Sequence, residues 1–241
     1  MGLVQLHGLV PEGTPLQRDA PAHRLLPCDR MLALVSEFPD VGTFESLPPE
    51  DLADWALAHN AILSAYCGGS GVLPMRVGTV FSDDAAVRGE IAAGATTFAT
   101  FLAALQNLRE YTVQLSMTQA GQPETVAEAA RSGRAHLMAR RQARDARVTR
   151  DRDRQALARD ILAELDALAT QVEPAGGPRP NRLLDCVALV ACDRIDDLRR
   201  IARNHHDAAE ALGLDLVIAG PWPPYSFDIT AWPELELSHG G

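Results

Sequence analysis

Apolar and polar positions divide this chain into short alternating runs and longer stretches of helical period. Leu3 to Val10 reads as a strand, closed by the turn chemistry of Pro11-Glu12-Gly13-Thr14-Pro15, and Met31 to Ser36 reads as a second. After Pro48-Pro49, the segment Asp51 to Tyr66 places Leu52, Trp55, Leu57, Ile62 and Leu63 at roughly helical spacing, with Asp51 suited to the positive end of the helix dipole. A glycine-rich stretch from Gly68 leads into Val72-Leu73-Pro74-Met75-Arg76-Val77-Gly78-Thr79-Val80-Phe81, whose last part is extended by pattern. Asp83 and Asp84 stand where they can cap a helix over Ala85 to Leu105, and Tyr111 to Met117 alternates like another strand. These elements predict an α+β domain, a sheet with helices on one side.

Around Glu124 the texture changes, and no proline occurs from there to Val172. Leu157, Ile161, Leu165, Leu168 and Val172 follow one another at helical intervals, the spacing of a buried seam, so a long helix is expected, one arm of an antiparallel coiled pair. Pro174 to Pro180 is a loop or hinge. Leu183 to Ala191 then reads as a buried strand, Ile195 to Leu212 as a helix and Leu214 to Ala219 as a strand. With Tyr111 to Met117 and the long helix, the order is β-α-β-α-β, compatible with a small layered, ferredoxin-like unit. The expected division is an N-terminal α+β domain over 1–120 and a long-helix region plus C-terminal α/β segment over 121–241, packed on the first or separate from it.

Composition narrows the functional classes. All 22 basic residues are arginine, and 32 acidic residues leave a formal net charge of -10, which opposes general binding to nucleic acid or anionic lipid. One segment runs against that balance, since Arg131 to Arg159 holds ten arginines and three aspartates. It reads as a solvated face with ion pairs, or as a docking surface for an acidic partner. Cys28, Cys67, Cys186 and Cys192 have neither zinc-ligand spacing nor the density of a disulfide framework, which fits a reducing cytoplasm. No signal peptide or transmembrane run of 18 apolar residues is read.

Catalytic chemistry finds little purchase. Gly68-Gly69-Ser70-Gly71 lacks the Lys-Ser/Thr ending of a phosphate loop. His205 and His206 are adjacent and diverge on a helix, so they make a poor metal pair, and His59 reads as a polar residue on a helix face. Cys67 and Cys186 read as small core residues, and Asp83-Asp84 and Asp196-Asp197 as helix-start acids. No catalytic residue, metal site or cofactor is expected. Arg76 is suited either to fixing a buried carboxylate or carbonyls through its planar fork, or to recognising an anion or partner. The most distinctive segment is Gly220-Pro221-Trp222-Pro223-Pro224-Tyr225-Ser226-Phe227. Its aromatics either seal a core beside a proline-fixed turn or form an anchor for another protein.

That segment, with Leu73 to Phe81 as a second match, resembles the gas vesicle GvpL/GvpF family; the N-terminal strand, Leu137 to Arg141 and the C-terminal strand-helix-strand part extend the resemblance through most of the chain. The family motifs carry over onto Pro74, Arg76, Gly78 and Phe81, and onto Pro221, Trp222, Pro223, Pro224, Tyr225 and Phe227, as structural or partner-binding residues. The resemblance implies a modified ferredoxin-like N-terminal domain and a helical, coiled-coil-containing C-terminal region. It implies a non-enzymatic accessory protein in gas vesicle assembly, in the cytoplasm, whose partners are the major shell protein and other accessory proteins rather than nucleic acid or lipid membrane. The alternatives are a minor structural component retained in the shell and an uncharacterised cytoplasmic enzyme. The chain departs from a compact family ending by continuing through Trp232-Pro233-Glu234-Leu235-Glu236.

Overall fold

The computed structural model describes residues 2–39, 48–69, 71–118, 133–177, 179 and 181–227. The chain forms two compact units, one of Met1–Glu110 with Pro221–Gly241 and one of Tyr111–Gly220. This differs from a division at 120, because the strand β6 (Leu108–Met117) carries the chain into the second sheet and the stretch after Gly220 returns to the first unit.

The first unit is built on β1 (Leu3–Pro11), β2 (Arg24–Cys28), β3 (Met31–Phe38), α1 (Pro49–Tyr66), β4 (Leu73–Pro74), β5 (Val80–Phe81), α2 (Asp84–Ala93) and α3 (Ala95–Leu105). Its sheet has the order β2-β3-β1-β4, with β5 also on β1. β1 and β3 pair antiparallel, and a bulge between Leu6 and Gly8 shifts their register. The bulge decides which side chains share a face, since an extra residue reverses the alternation beyond it. Val4, Leu6 and Leu9 therefore join the core with Val87 and Ile91 of α2 and Leu102 and Leu105 of α3, whereas Val10 packs with Ile62, Leu63 and Tyr66 of α1. Helices thus cover both faces of this sheet, in contrast to the one-sided arrangement predicted by pattern; the unbroken buried run of β1 reflects that double cover.

Two further departures have local causes. The helix predicted over Ala85–Leu105 breaks at Gly94, where Phe98 fills the space a Cβ would need, its ring 2.8 Å from that position. β2 escapes pattern reading because Pro27 interrupts its alternation, yet it pairs with β3 through a tight turn in which Asp29 adopts a φ of 53°. Asp83 does cap α2, its carboxylate accepting from the Ala86 N–H at 2.8 Å, and Asp84 pairs with Arg24.

The second unit contains β6, α4 (Gly133–Leu168), β7 (Gln171–Pro174), β8 (Arg182–Ala191), α5 (Ile195–Ala211) and β9 (Leu214–Trp222), in a sheet of order β7-β8-β6-β9. The long helix ends at Leu168, and Val172 continues the apolar seam from a strand: Val172 lies opposite Ala188 and packs on the same core. β7 was not anticipated, and it makes the element order β-α-β-β-α-β. Leu157, Ile161, Leu165 and Leu168 of α4 close over Val113 and Leu115 of β6, Cys186 and Ala188 of β8, and Leu198 and Ile201 of α5. The other half of α4 makes no such seam, and every residue from Leu137 to Asp153 is exposed. The start of the helix expected near Glu124 lies outside the described residues.

On the α1 side of the first sheet, the β1 alternation turns two polar residues, Gln5 and His7, inward beside Ser36 and His59. His59, a polar residue on a helix face by pattern, lies on the buried face of α1. His7 Nδ1 and His59 Nδ1 lie 3.0 Å apart and His7 Nε2 lies 2.8 Å from the Ser36 hydroxyl. The Nδ1 pair requires one nitrogen to donate and the other to accept, so a proton on both rings would set two N–H groups against each other. Burial first, and then the neighbouring His59 and His23, lower the pKa of His7 to about 3; burial also lowers that of His59.

Two predictions follow from this packing. A Cβ on Gly8 would lie 2.7 Å from both the Leu63 side chain and the Leu73 carbonyl oxygen. Gly8→Ala should lower stability by about 1–3 kcal/mol, measured by urea unfolding. In the second case the pH dependence has a definite sign. Above the unfolded histidine pKa neither state binds the protons, so nothing is lost; below about 6.5 the unfolded chain takes protons that the buried rings refuse. Stability should fall as pH drops from about 6.5 toward the His7 value, by about 1.4 kcal/mol per pH unit for His7, and the lowered pKa of His59 adds to the loss in the same direction. His7→Asn should show a shallower loss between pH 7 and pH 5, and an unchanged slope would refute the assignment.

Candidate partner-binding groove

The two motifs singled out by sequence meet in the first unit. Pro74 and Arg76 from one, Tyr225 and Phe227 from the other, and Phe98 and Phe101 of α3 line a groove of about 270 Å³, to which Pro224 also contributes. Gly78 and Phe81 support it from outside: Gly78 takes a φ of 81° in the turn between β4 and β5, a conformation that suits glycine, and Phe81 pairs opposite Val4. Thr79 closes that turn, its N–H and hydroxyl both donating to the Arg76 carbonyl.

The proline-aromatic motif divides between core and surface. Pro223 and Phe227 are buried, Pro224 is half-buried, and Pro221, Trp222 and Tyr225 are exposed. Trp222 retains 38% and Tyr225 47% of full exposure, so the motif offers aromatic surface while Phe227 anchors it. Two contacts fix Tyr225. Its ring stacks on His59 with centroids 6.4 Å apart, and the following residue binds the buried carboxylate of Glu110 twice, through the Ser226 N–H at 3.0 Å and the Ser226 hydroxyl at 2.9 Å. Burial raises the pKa of Glu110, and these two donors oppose that shift by favouring the charged form.

Arg76 is exposed at the groove and makes no side-chain hydrogen bond or ion pair among the described residues. The internal fixing role considered for it belongs instead to Arg109, buried on β6, which donates to the carbonyls of Gln106, Leu108 and Gly69. Arg109 and Glu110 escaped sequence reading because they stand beside apolar strand residues, where only tertiary partners reveal why charges are tolerated. The one available signal was the adjacency of two opposite charges at the entrance to a strand.

A second concavity of about 450 Å³ is lined by His7, His23, Arg24, Ser36, Glu37 and Trp55 among others. Several of its polar groups are already engaged. His23 bonds the Tyr66 hydroxyl and the Pro21 carbonyl, both at 2.7 Å, and Arg24 forks onto Asp84. The Ser36–His7 contact has the spacing of a nucleophile and base, but burial and the neighbouring histidines lower the His7 pKa to about 3, which makes the ring a weak base at neutral pH. Elsewhere, His205 pairs with Glu164 at 2.8 Å, and Asp196 and Asp197 pair with arginines of their own helix end. Among the described residues no cluster of histidine, cysteine or carboxylate side chains is arranged to hold a metal, and no described helix is long and apolar enough to cross a membrane.

Comparison with known proteins agrees across methods. The chain is 32% identical to gas vesicle protein L of Streptomyces sp. (strain CB03234), over 91% of this chain and 88% of that one. It is 31% identical to gas vesicle protein F of the same organism, over 85% and 87%. Its fold matches the crystal structure of GvpF from Anabaena sp. PCC7120 with a TM-score of 0.66 at 14% identity, covering 93% of this chain and 95% of that one. GvpF from Microcystis aeruginosa matches at 0.62 and 18% identity, with coverage of 94% and 99%. The sequence profile of the gas vesicle synthesis protein GvpL/GvpF family matches residues 12–228, which contain both groove motifs. With its profile, its relatives and its fold in agreement, this chain belongs to the GvpL/GvpF family and carries that family's role in gas vesicle formation.

Proposed function

We propose that this protein is a non-enzymatic accessory factor of gas vesicle assembly, acting in the cytoplasm, which binds the major shell protein and contacts other accessory proteins. The observation that carries this reading is the convergence of two sequence-distant motifs on one groove whose lip exposes Tyr225 and Arg76. Aromatic side chains with few rotatable bonds and an arginine able to meet a carboxylate are the residue types that dominate compact protein interfaces. A shell subunit that displays apolar surface before incorporation needs that surface covered, and the Phe98, Phe101 and Tyr225 walls supply an apolar lining. In the same reading, the β-α-β-β-α-β order of the second unit supports a ferredoxin-like unit in that part of the chain.

The motif's division into buried and exposed parts makes the proposal testable by paired substitutions. Phe227→Ala removes a buried anchor and should cost about 3 kcal/mol of stability or more. Tyr225→Ala should leave the thermal midpoint nearly unchanged while weakening binding to purified shell protein by about tenfold or more, as removal of an interface anchor does. Unchanged binding by folded Tyr225→Ala and Trp222→Ala proteins would remove the groove from the interface. Recovery of the protein in stoichiometric amounts from washed vesicles would favour a retained shell component over a transient factor.

A further inference from the structure

We infer that the exposed arginine-rich half of α4 docks on the exposed acidic face of α1 in a second copy of this chain. The first observation is the segregation of charge. The N-terminal unit holds six arginines against sixteen acidic residues, while Arg131 to Arg159 holds ten arginines against three aspartates. Arg140, Arg147, Arg150 and Arg152 make no ion pair among the described residues, and the contacts of Arg141 and Arg144 with Asp145 are long, at 3.9 and 3.7 Å. On α1, Glu50 and Asp54 are likewise exposed and form no ion pair among the described residues.

The second observation is that each charged face carries an exposed leucine. Leu57 retains 68% and Leu137 67% of full exposure, so neither is covered within the chain. From Leu57 toward the N-terminus of α1, Asp54 and Glu50 recur three and then four residues away; from Leu137 toward the C-terminus of α4, Arg140 and Arg144 recur at the same intervals. Residues at this spacing share one helix face. Two such faces laid antiparallel bring Leu57 onto Leu137, Asp54 onto Arg140 and Glu50 onto Arg144. The complementarity is in sign, in order and in spacing, which selects an acidic helix of this kind over a generic polyanion. Neither face includes a groove residue, so the contact stands independently of the shell-binding role.

The test uses the full chain and two charge-reversed variants, R140E/R144E and E50R/D54R, whose changes are confined to exposed positions; circular dichroism and thermal melts establish that both fold. By sedimentation velocity, the wild type should rise above its monomer mass of 26.0 kDa with increasing concentration at about 0.02 M salt and return to it near 0.5 M, because screening weakens exposed ion pairs. Each variant alone should remain monomeric. Mixed, they should form one-to-one complexes, since the acidic α1 of the first meets the basic α4 of the second. A wild type that stays monomeric at low salt overturns the inference, as do variants that still self-associate or fail to pair when mixed. Binding of a duplex oligonucleotide by a wild type that does not self-associate would assign the basic face to nucleic acid instead.

Discussion

Two buried, oppositely charged residues side by side on one strand constrain both walls of the groove. Arg109 and Glu110 retain 6% and 4% of their exposure, and a charge so placed is tolerated only when polar groups surround it. Arg109 obtains its acceptors from main-chain carbonyls, including that of Gly69 in the loop leading to β4. Glu110 obtains its donors from Ser226. The first set of bonds locates the chain entering Leu73 to Arg76, and the second locates Tyr225 and Phe227. Both walls of the groove are thus referenced to consecutive residues of the same strand, although the motifs are far apart in sequence, one ending at Phe81 and the other beginning at Gly220.

The buried histidines add a second reference point from the opposite direction. His59 extends from α1 to stack on Tyr225, and His7 holds His59 through a neutral hydrogen bond. Apolar side chains in place of both would cost little net stability, whereas replacing one alone would leave the other ring without its partner. What the pair supplies is direction, because a hydrogen bond between two rings fixes their rotation as an apolar contact does not. The exposed aromatic surface of Tyr225 therefore rests on a polar network in the core, and the groove is preorganised at the expense of stability in acid.

Local chemistry made much of the secondary structure legible. The strand at Leu3, the helix after Pro48-Pro49, the aspartate cap before α2 and the buried seam of α4 each follow from residues within one or two turns of one another. The remainder required knowledge of distant partners. Glycine beside the bulge is required because Leu63 and the Leu73 carbonyl approach position 8, and neither is near in sequence. The break at Gly94 depends on Phe98 packing back over it, whereas the pattern alone ran through from Ala85 to Leu105. The groove residues were visible as motifs, but their meeting was not, because the bonds that bring them together belong to Arg109 and Glu110.

The long helix shows the complementary case, in which an expected element forms yet carries a physical imbalance. Its C-terminal half is held by packing around Ile161 and Leu165. Its exposed half has no apolar seam to support it, and Arg140, Arg144 and Arg147 follow one another at the spacing where like charges repel. Arginine is a good helix former, and the buried half supplies the nucleus from which the exposed turns propagate, so the helix persists despite that repulsion. Each arginine nevertheless adds to a positive field that the nearby aspartates do not balance. Planar guanidinium groups are suited to binding carboxylates in defined directions, and a field of this kind is relieved most by acidic groups arranged at the same helical interval. The unmatched charge therefore acts as a specification for a partner, and the face of α1 that carries Glu50, Asp54 and Leu57 meets it residue for residue.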